Sequence, residues 1–350
     1  MTTPTQGPLG AVENPLAGPR GWHRVLMQPP QPPFDANGLR LTRDLMRLGI
    51  DPPEQHTQVR RGVWLPTRAW TTLNRTQHHA ALVHATGLVT AREHPHTFWG
   101  PSAAALWGLP RIGAWPSRCQ VLVGGRRRGS AVVQTHRGPE CQPVEIDGVL
   151  VTPVTRTLVD LARTESLETA VAAADHALRH EMCTREELES EIVELPTRTR
   201  GRLRATMAID LADAGSMSAG ESLSRVRMFQ LHLPRPRLQV EHRDAAGLIG
   251  FVDFDWGGVI GEFDGKLKYA VPDGADPAEA GEIVWREKQR EDRIRRTGPK
   301  VARWLWKDAL SAHGLWPILA AQGIRPQARN TWFDLGAAAQ VVPVEGRRSG

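Results

Sequence analysis

The sequence predicts a multi-domain α/β protein, and three observations carry that prediction. At 350 residues the chain has room for two or three domains. Residues Phe251 to Tyr269 read FVDFDWGGVIGEFDGKLKY, two apolar strand-like runs joined by Gly257-Gly258, with charged residues at alternate positions. Elsewhere, helical spacing such as Leu41, Leu45 and Leu48 alternates with short Val-rich runs such as Val121 to Val123 and Val149 to Val151.

In chain order, residues 1–35 carry many Pro and Gly, with QPPQPP at Gln28 to Pro33, and read as a disordered leader. Residues 36–76 form a small module. Leu39 to Leu48 is a helix ringed by Arg40, Arg43 and Arg47 and stopped by Gly49. Val59 to Pro66 supplies the two arms of a hairpin turning at Arg61-Gly62, so Arg60 and Arg61 are either nucleic-acid contacts or solvated turn residues.

Residues 77–200 form an α/β middle domain. Pro101-Ser102 opens a helix that Gly108 closes, Val121 to Val123 is a buried strand, and Ala131 to Val133 begin another strand that His136-Arg137 follow. Between these strands Gly124 to Gly129 reads GGRRRG. Its Arg126, Arg127 and Arg128 are suited to hold phosphate oxygens, although such a turn also serves as a soluble loop. Val149 to Val151 leads into the stretch Thr152 to Ala162. Ala170 to Leu178 and Arg185 to Ile192 are further helices, the second with a capping box at Thr184 and Glu187. His78, His79, His84, His94 and His96 lack metal-ligand spacing and are assigned no metal. Thr197 to Arg204, with four arginines, links this domain to the next.

Residues 215–312 carry the chemistry. A hairpin at Gly257-Gly258 brings Asp253 and Asp255 beside Glu262 and Asp264, with Lys266 and Lys268 further along the second strand. Clustered carboxylates repel and resist burial, and a hard cation with oxygen ligands holds them together. Mg²⁺ is the usual choice for phosphate chemistry. A neighbouring lysine can steady a phosphate or help activate water. The competing reading is a solvated, salt-bridged strand face, which the second acid-bearing strand and the glycine turn disfavour. Residues 313–350 are a C-terminal extension thinning into Pro, Gly and Arg.

The 215–312 segment resembles the PD-(D/E)XK nuclease superfamily, in the branch related to very-short-patch-repair endonucleases. Ser218-Ala219-Gly220-Glu221-Ser222 looks like that family's opening helix, Val240 to Arg243 like an earlier strand, Glu287 to Arg293 like the helix after the metal strands, and Val301 to Trp306 like the closing strand. The resemblance implies a restriction-endonuclease-like α/β core. In it Asp253 and one or both of Glu262 and Asp264 bind Mg²⁺ (or Mn²⁺), with Glu221 close by. Lys266 or Lys268 would orient water or stabilise developing charge, and Arg290 and Arg293 would position the nucleic-acid backbone. The third motif departs from the family's acid, any residue, lysine. If Glu262 is the acid, Asp264 stands at the lysine position. If Asp264 is the acid, Lys266 fits, and Lys268 stands where a histidine is frequent.

The front half resembles AbiEi-type antitoxins, with 36–76 similar to their N-terminal winged helix-turn-helix and Thr152 to Ala162 similar to a segment of their companion domain. Together the resemblances imply a metal-dependent endonuclease that hydrolyses DNA, targeted by an N-terminal DNA-binding module. The alternative is a non-catalytic DNA-binding regulator or antitoxin of a type IV-like toxin–antitoxin system, with a cognate toxin as partner.

Composition is compatible with either. The net charge of +6 and pI of about 9.8 favour an acidic partner such as nucleic acid. Three scattered cysteines argue against a disulfide framework or zinc site and fit a reducing cytoplasm. No secretory signal or bilayer-length apolar run is evident, so a cytoplasmic protein with no membrane partner is expected, its oligomeric state left open.

Overall fold

The computed structural model describes residues 34–90, 95–125, 128–139, 141–265, 277–311 and 313–333, and its architecture is mixed α/β. The leader expected at 1–35 lies almost wholly outside the described residues, as do Arg126, Arg127, Lys266 and Lys268.

The first described segment runs from a 3-10 turn (Ala36–Gly38) through β1 (Arg40–Leu41), α1 (Thr42–Arg47) and α2 (Pro52–Gln55) to β2 (His56–Arg60) and β3 (Val63–Pro66). The strands form one antiparallel sheet in the order β1-β3-β2. Gly49 (φ 69°) and Gly62 (φ 84°) take the left-handed conformation where α1 stops and where the β2–β3 hairpin turns. After α3 (Thr67–Thr72), helix α4 (Arg75–Leu88) opens on a capping box between Asn74 and Gln77.

A second sheet has the order β6-β5-β4-β8-β7 and comprises β4 (Thr97–Phe98), β5 (Cys119–Val123), β6 (Val133–Arg137), β7 (Val144–Ile146) and β8 (Val149–Val151). Helix α5 (Pro101–Leu106) follows β4. Strand β6 starts later than expected: Ala131 and Val132 precede it, while His136 and Arg137 lie within it. It is the sheet's edge, paired only with β5, so its polar residues remain partly exposed.

Helices α6 (Val154–Thr164), α7 (Leu167–Arg179), α8 (Arg185–Glu194) and α9 (Arg202–Leu211) follow in succession. The capping box at Thr184 and Glu187 is present. The arginine run at 197–204 is a turn followed by the first residues of α9. Arg202 donates to Leu195 O (2.7 Å), and Arg204 donates to the carbonyls of Arg163 and Glu165. Cationic side chains at helix ends satisfy carbonyls that the helix leaves without partners. Part of the chain's basic excess is therefore used inside the fold.

The last layer runs α10 (Ala219–Gln230), β9 (Arg237–Asp244), β10 (Gly247–Asp255), β11 (Val259–Asp264), α11 (Pro277–Arg296), β12 (Lys300–Leu305), α12 (Trp306–Leu310) and α13 (Leu315–Ala321). Its sheet order is β12-β11-β10-β9, antiparallel except for β11 and β12, and α11 is the crossover that a parallel pair requires. The β10–β11 hairpin turns at Gly257-Gly258 as expected, with Gly257 at φ 87°.

Two large apolar clusters hold these elements, and a smaller third one packs Ile249, Val252 and Ile260 of the last sheet with Ile294 of α11. One gathers residues between Phe34 and Val151. The other joins the α6–α10 helices to Phe254, Trp256, Phe263 and Trp304 of the last sheet and to Leu315, Leu319 and Trp332 beyond it. Among the described residues no helix is long and apolar enough to cross a membrane.

Burial of two histidines makes this fold acid-sensitive. Burial holds His79 well below its ordinary 6.5, at about 4, with Arg111 adding to the effect. Burial likewise lowers His176 to about 4, aided by His180 and Arg179. The unfolded chain binds these protons below pH 6.5 whereas the folded chain does not, so stability is lost as pH falls from 6.5 towards 4. At pH 5, His79 alone accounts for about 2 kcal/mol. Melting temperatures at pH 7 and pH 5 should differ less for His79→Gln than for wild type.

Candidate functional site

The acids that the sequence singles out converge on the last sheet. Glu221 is placed by the start of α10. Ser218 caps that helix by accepting from Glu221 N (3.2 Å), while the Glu221 carboxylate accepts from Ser218 Oγ and Met217 N, both at 2.8 Å. The helix lies close to the sheet because residue 220 is glycine: a Cβ there would meet the Phe263 ring at 2.1 Å. Gly261 does the same on β11, where a Cβ would meet Trp304 at 2.6 Å.

Asp253 sits where β10 and β11 separate. The two strands pair at Asp255↔Ile260 and Phe254↔Gly261. Next to the second pair the ladder is broken by a side chain, since Phe263 N donates to Asp253 Oδ2 (2.8 Å). Glu262 therefore lies beside Asp253, on the adjacent strand. Arg290 of α11 donates to Glu262 Oε1 (3.1 Å) and to Phe251 O (2.5 Å). A bulge in the β9–β10 pairing at Gly250 leaves room for this arginine, because a Cβ there would stand 3.0 Å from Arg290 Nε.

Glu221, Asp253 and Glu262 are 3%, 7% and 4% exposed. Asp264 is partly exposed, with Arg303 of β12 at 3.7 Å; the same arginine reaches Glu291 at 3.3 Å. Asp255 turns away, to His242 Nε2 (2.9 Å), Arg237 (3.3 Å) and the Gly257 N–H. The structure thus links Glu221 to Asp253 through one neighbouring side chain and sets Glu262 beside Asp253, while Asp264 stays at the margin and Asp255 belongs to the hairpin.

Sequence reasoning missed Gln239. Its Nε2 donates to both Glu221 Oε2 (3.2 Å) and Asp253 Oδ1 (3.4 Å), so one amide bridges two buried carboxylates. Gln239 lies between Leu238 and Val240, which pair with Phe254 and Val252, and its backbone is left-handed (φ 47°) within a strand. Non-glycine residues rarely adopt that conformation, and when they do the site is worth functional scrutiny.

In donor chemistry this set suits a hard divalent cation, because its ligands are buried, ionisable oxygens. Its arrangement is not a ready ligand set: among the described residues, no group of three His, Cys, Asp or Glu could hold a metal ion. Gln239 and Arg290 take up carboxylate oxygens that a cation would need.

The expected nucleic-acid contacts are distributed elsewhere. Arg61 is exposed at the β2–β3 turn, and Arg128 is exposed ahead of β6. Arg60 is half-buried, and burial lowers its pKa. Arg293 grips Asp244 through two hydrogen bonds of 2.7 and 2.8 Å, which hold that carboxyl down at about 2.

A second polar hub lies in the middle of the chain. Asp160, fully buried on α6, accepts from Trp99 Nε1 (2.7 Å), Arg156 Nε (2.7 Å) and Arg163 Nη1 (2.6 Å), while His136 stacks on Trp99 with ring centres 4.3 Å apart. A third polar link, between Arg225 of α10 and Asp175 of α7 (2.8 Å), anchors the helix that carries Glu221.

No family model matches the sequence. Two proteins of Mycobacterium tuberculosis strains, each described as an uncharacterized protein, are 33% identical to the chain over 133 residues. The match takes in 38% of the chain, and the chain spans about half the length of the curated relatives it matches.

Proposed function

We propose that the chain is a DNA-acting protein whose 215–312 segment is a nuclease-like core of the PD-(D/E)XK type, cutting phosphodiester bonds at the Glu221, Asp253 and Glu262 cluster. The observation that carries this reading is Asp253 at the parting of β10 and β11, beside Glu262 and facing Glu221 through Gln239. The order helix, three strands, crossover helix, strand supports the same core. Glu221, Asp253, Glu262 and Asp264 have the donor chemistry of a Mg²⁺ or Mn²⁺ site, an ion that would polarise a scissile phosphate and acidify bound water, but among the described residues no three of them stand together as a ligand set. Burial of these acids keeps bulk water from competing for them. Lys266 and Lys268 keep their expected roles as groups that orient water or offset developing charge.

At the other end, α1 and α2 stand between the first and second strands of a β1-β3-β2 sheet. That order supports a winged-helix module with Arg61 at the tip of its wing. Phosphate contacts by Arg61 and by the arginines at 126–128 would position DNA without reading its sequence.

A second reading, a non-catalytic DNA-binding regulator or antitoxin with a toxin partner, is favoured by one observation: Gln239 and Arg290 already engage the acids. Strand length separates the two. End-labelled duplex incubated with the protein and Mg²⁺ should yield shortened strands on a denaturing gel, and none with EDTA. Full-length strands that are only retarded on a native gel, with or without metal, would establish the regulator.

A further inference from the structure

We propose that the outward face of α11 is a binding surface for single-stranded DNA, with Trp285 as the platform on which an unpaired base stacks and Lys288 and Arg296 as phosphate contacts. This inference rests on the DNA-acting reading of the chain, but neither on cleavage nor on a metal ion.

The two faces of α11 do different things. Arg290 and Arg293, expected from the sequence to hold the nucleic-acid backbone, turn inward: Arg290 donates to Glu262 and Phe251 O, and Arg293 to Asp244. Ile294 is buried with them against Ile249, Val252 and Ile260 of the sheet. A helix turns about 100° per residue, so Trp285, Lys288, Asp292 and Arg296 fall within about 80° of one another on the other side. All four are exposed. Arg295 borders them, half-exposed and paired with Glu291 at 2.6 Å.

Trp285 is 59% exposed, and it is the one exposed tryptophan among the described residues. Indoles gain much from burial, and this one forgoes it on a helix that is otherwise charged. Its outward neighbours are polar, which suits a nucleic acid better than an apolar protein surface. On the same face Lys288, Arg295 and Arg296 stand against one carboxylate, Asp292, so the charge is positive even with Arg295 offset by Glu291. From Lys288 to Arg296 the helix rises about 12 Å at roughly 1.5 Å per residue, which lets the two cations address different phosphates of one strand. An aromatic face beside spaced cations is how single strands are held without regard to sequence. Stacking requires the flat face of a base, and a duplex covers that face with the neighbouring pairs. The indole therefore selects unpaired bases, while the cations serve either form.

The experiment is fluorescence anisotropy of a fluorescein-labelled oligo-dT and of a duplex of equal length, each titrated with the full chain in EDTA at two salt concentrations. The proteins are wild type, Trp285→Ala, Trp285→Phe and the double variant Lys288→Glu with Arg296→Glu, each with its melting temperature. Trp285→Ala should bind oligo-dT about ten-fold more weakly, the scale of one lost base–aromatic stack, with duplex affinity and melting temperature unchanged. Trp285→Phe should keep most of the oligo-dT affinity. The double variant should weaken binding of both DNAs and flatten the salt dependence. Failure of wild type to bind oligo-dT overturns the proposal, as does an equal loss on both DNAs in Trp285→Ala. Unchanged oligo-dT affinity in Trp285→Ala overturns it as well, and a dimer in light scattering that this variant loses would then make a second copy the occupant. Cleavage with Mg²⁺ is scored separately. Binding that depends on Trp285 without cleavage keeps this surface and removes the nuclease reading, whereas cleavage with binding indifferent to Trp285 does the reverse.

Discussion

Arg225→Ala is expected to lower the stability of the fold by about 3–5 kcal/mol, the cost of breaking a buried ion pair from one side. Arg225 and Asp175 are both almost fully buried. Nη1 of Arg225 donates to Asp175 Oδ2 (2.8 Å) and Ser216 Oγ (3.3 Å), and Nη2 donates to Leu211 O (2.5 Å). Removing the guanidinium leaves a carboxylate with Asp213 N as a remaining donor, at 2.7 Å. Burial already pushes the Asp175 carboxyl above its ordinary value, against the opposing effect of Arg225. Without Arg225 that carboxyl will take up a proton more readily. A group whose folded pKa is raised favours folding at low pH and opposes it as pH rises. The deficit should therefore be larger at pH 8 than at pH 5. Replacing both partners, as in Asp175→Leu with Arg225→Met, should recover much of the loss, because no charge is then left unpaired. Urea midpoints for the three proteins at the two pH values measure this.

Asp160→Ala should cost a similar amount, again about 3–5 kcal/mol, through a different mechanism. Asp160 is an acceptor shared by Trp99, Arg156 and Arg163. Its loss removes the carboxylate partner of two guanidinium groups and of an indole N–H, with Arg156 itself 5% exposed and Arg163 keeping Arg200 O (3.0 Å). Arg156 keeps Pro139 O (3.3 Å) and a distant Glu191 carboxylate (3.7 Å), both weaker than the bond it loses. Trp99 comes from the turn between β4 and α5, so the hub ties the five-stranded sheet to α6. Asp160→Asn should fall between wild type and alanine, since a carboxamide retains one acceptor but sets its own N–H groups against an arginine. The check is the urea midpoint, with indole fluorescence reporting Trp99.

How far these features could be read from sequence differs with their range. The β10–β11 hairpin was legible because Gly257-Gly258 interrupts two apolar runs with acids at alternate positions. The Glu221 helix and the Thr184 and Glu187 capping box were legible for the same reason: the signal is local. Arg156 and Asp160 also carried a local signal, four residues apart on one helix, which the reading passed over. Asp175 and Arg225 are 50 residues apart, and no periodicity joins them. Gln239 is harder still. Its role depends on a left-handed backbone in a strand and on two acids from other elements, and a lone glutamine announces neither. The arginines were the least readable. Charge counting directs them to phosphate, but Arg185, Arg202, Arg204 and Arg225 donate to carbonyls at or near helix C-termini. A count of cations cannot distinguish those from exposed ones such as Arg61. Lys266 and Lys268, on which the identity of the catalytic base turns, lie outside the described residues.

The most direct measurement is scission of supercoiled plasmid by wild type and by Asp253→Asn, each with Mg²⁺ and with EDTA, beside the melting temperature of both proteins. Asparagine keeps an acceptor for Phe263 N and removes the charge, so the strand separation at residue 253 should survive. The expected result is Mg²⁺-dependent cleavage by wild type that falls by about 100-fold or more in the variant, with DNA binding and melting temperature retained. Equal cleavage by the two proteins would contradict the assignment of chemistry to this cluster.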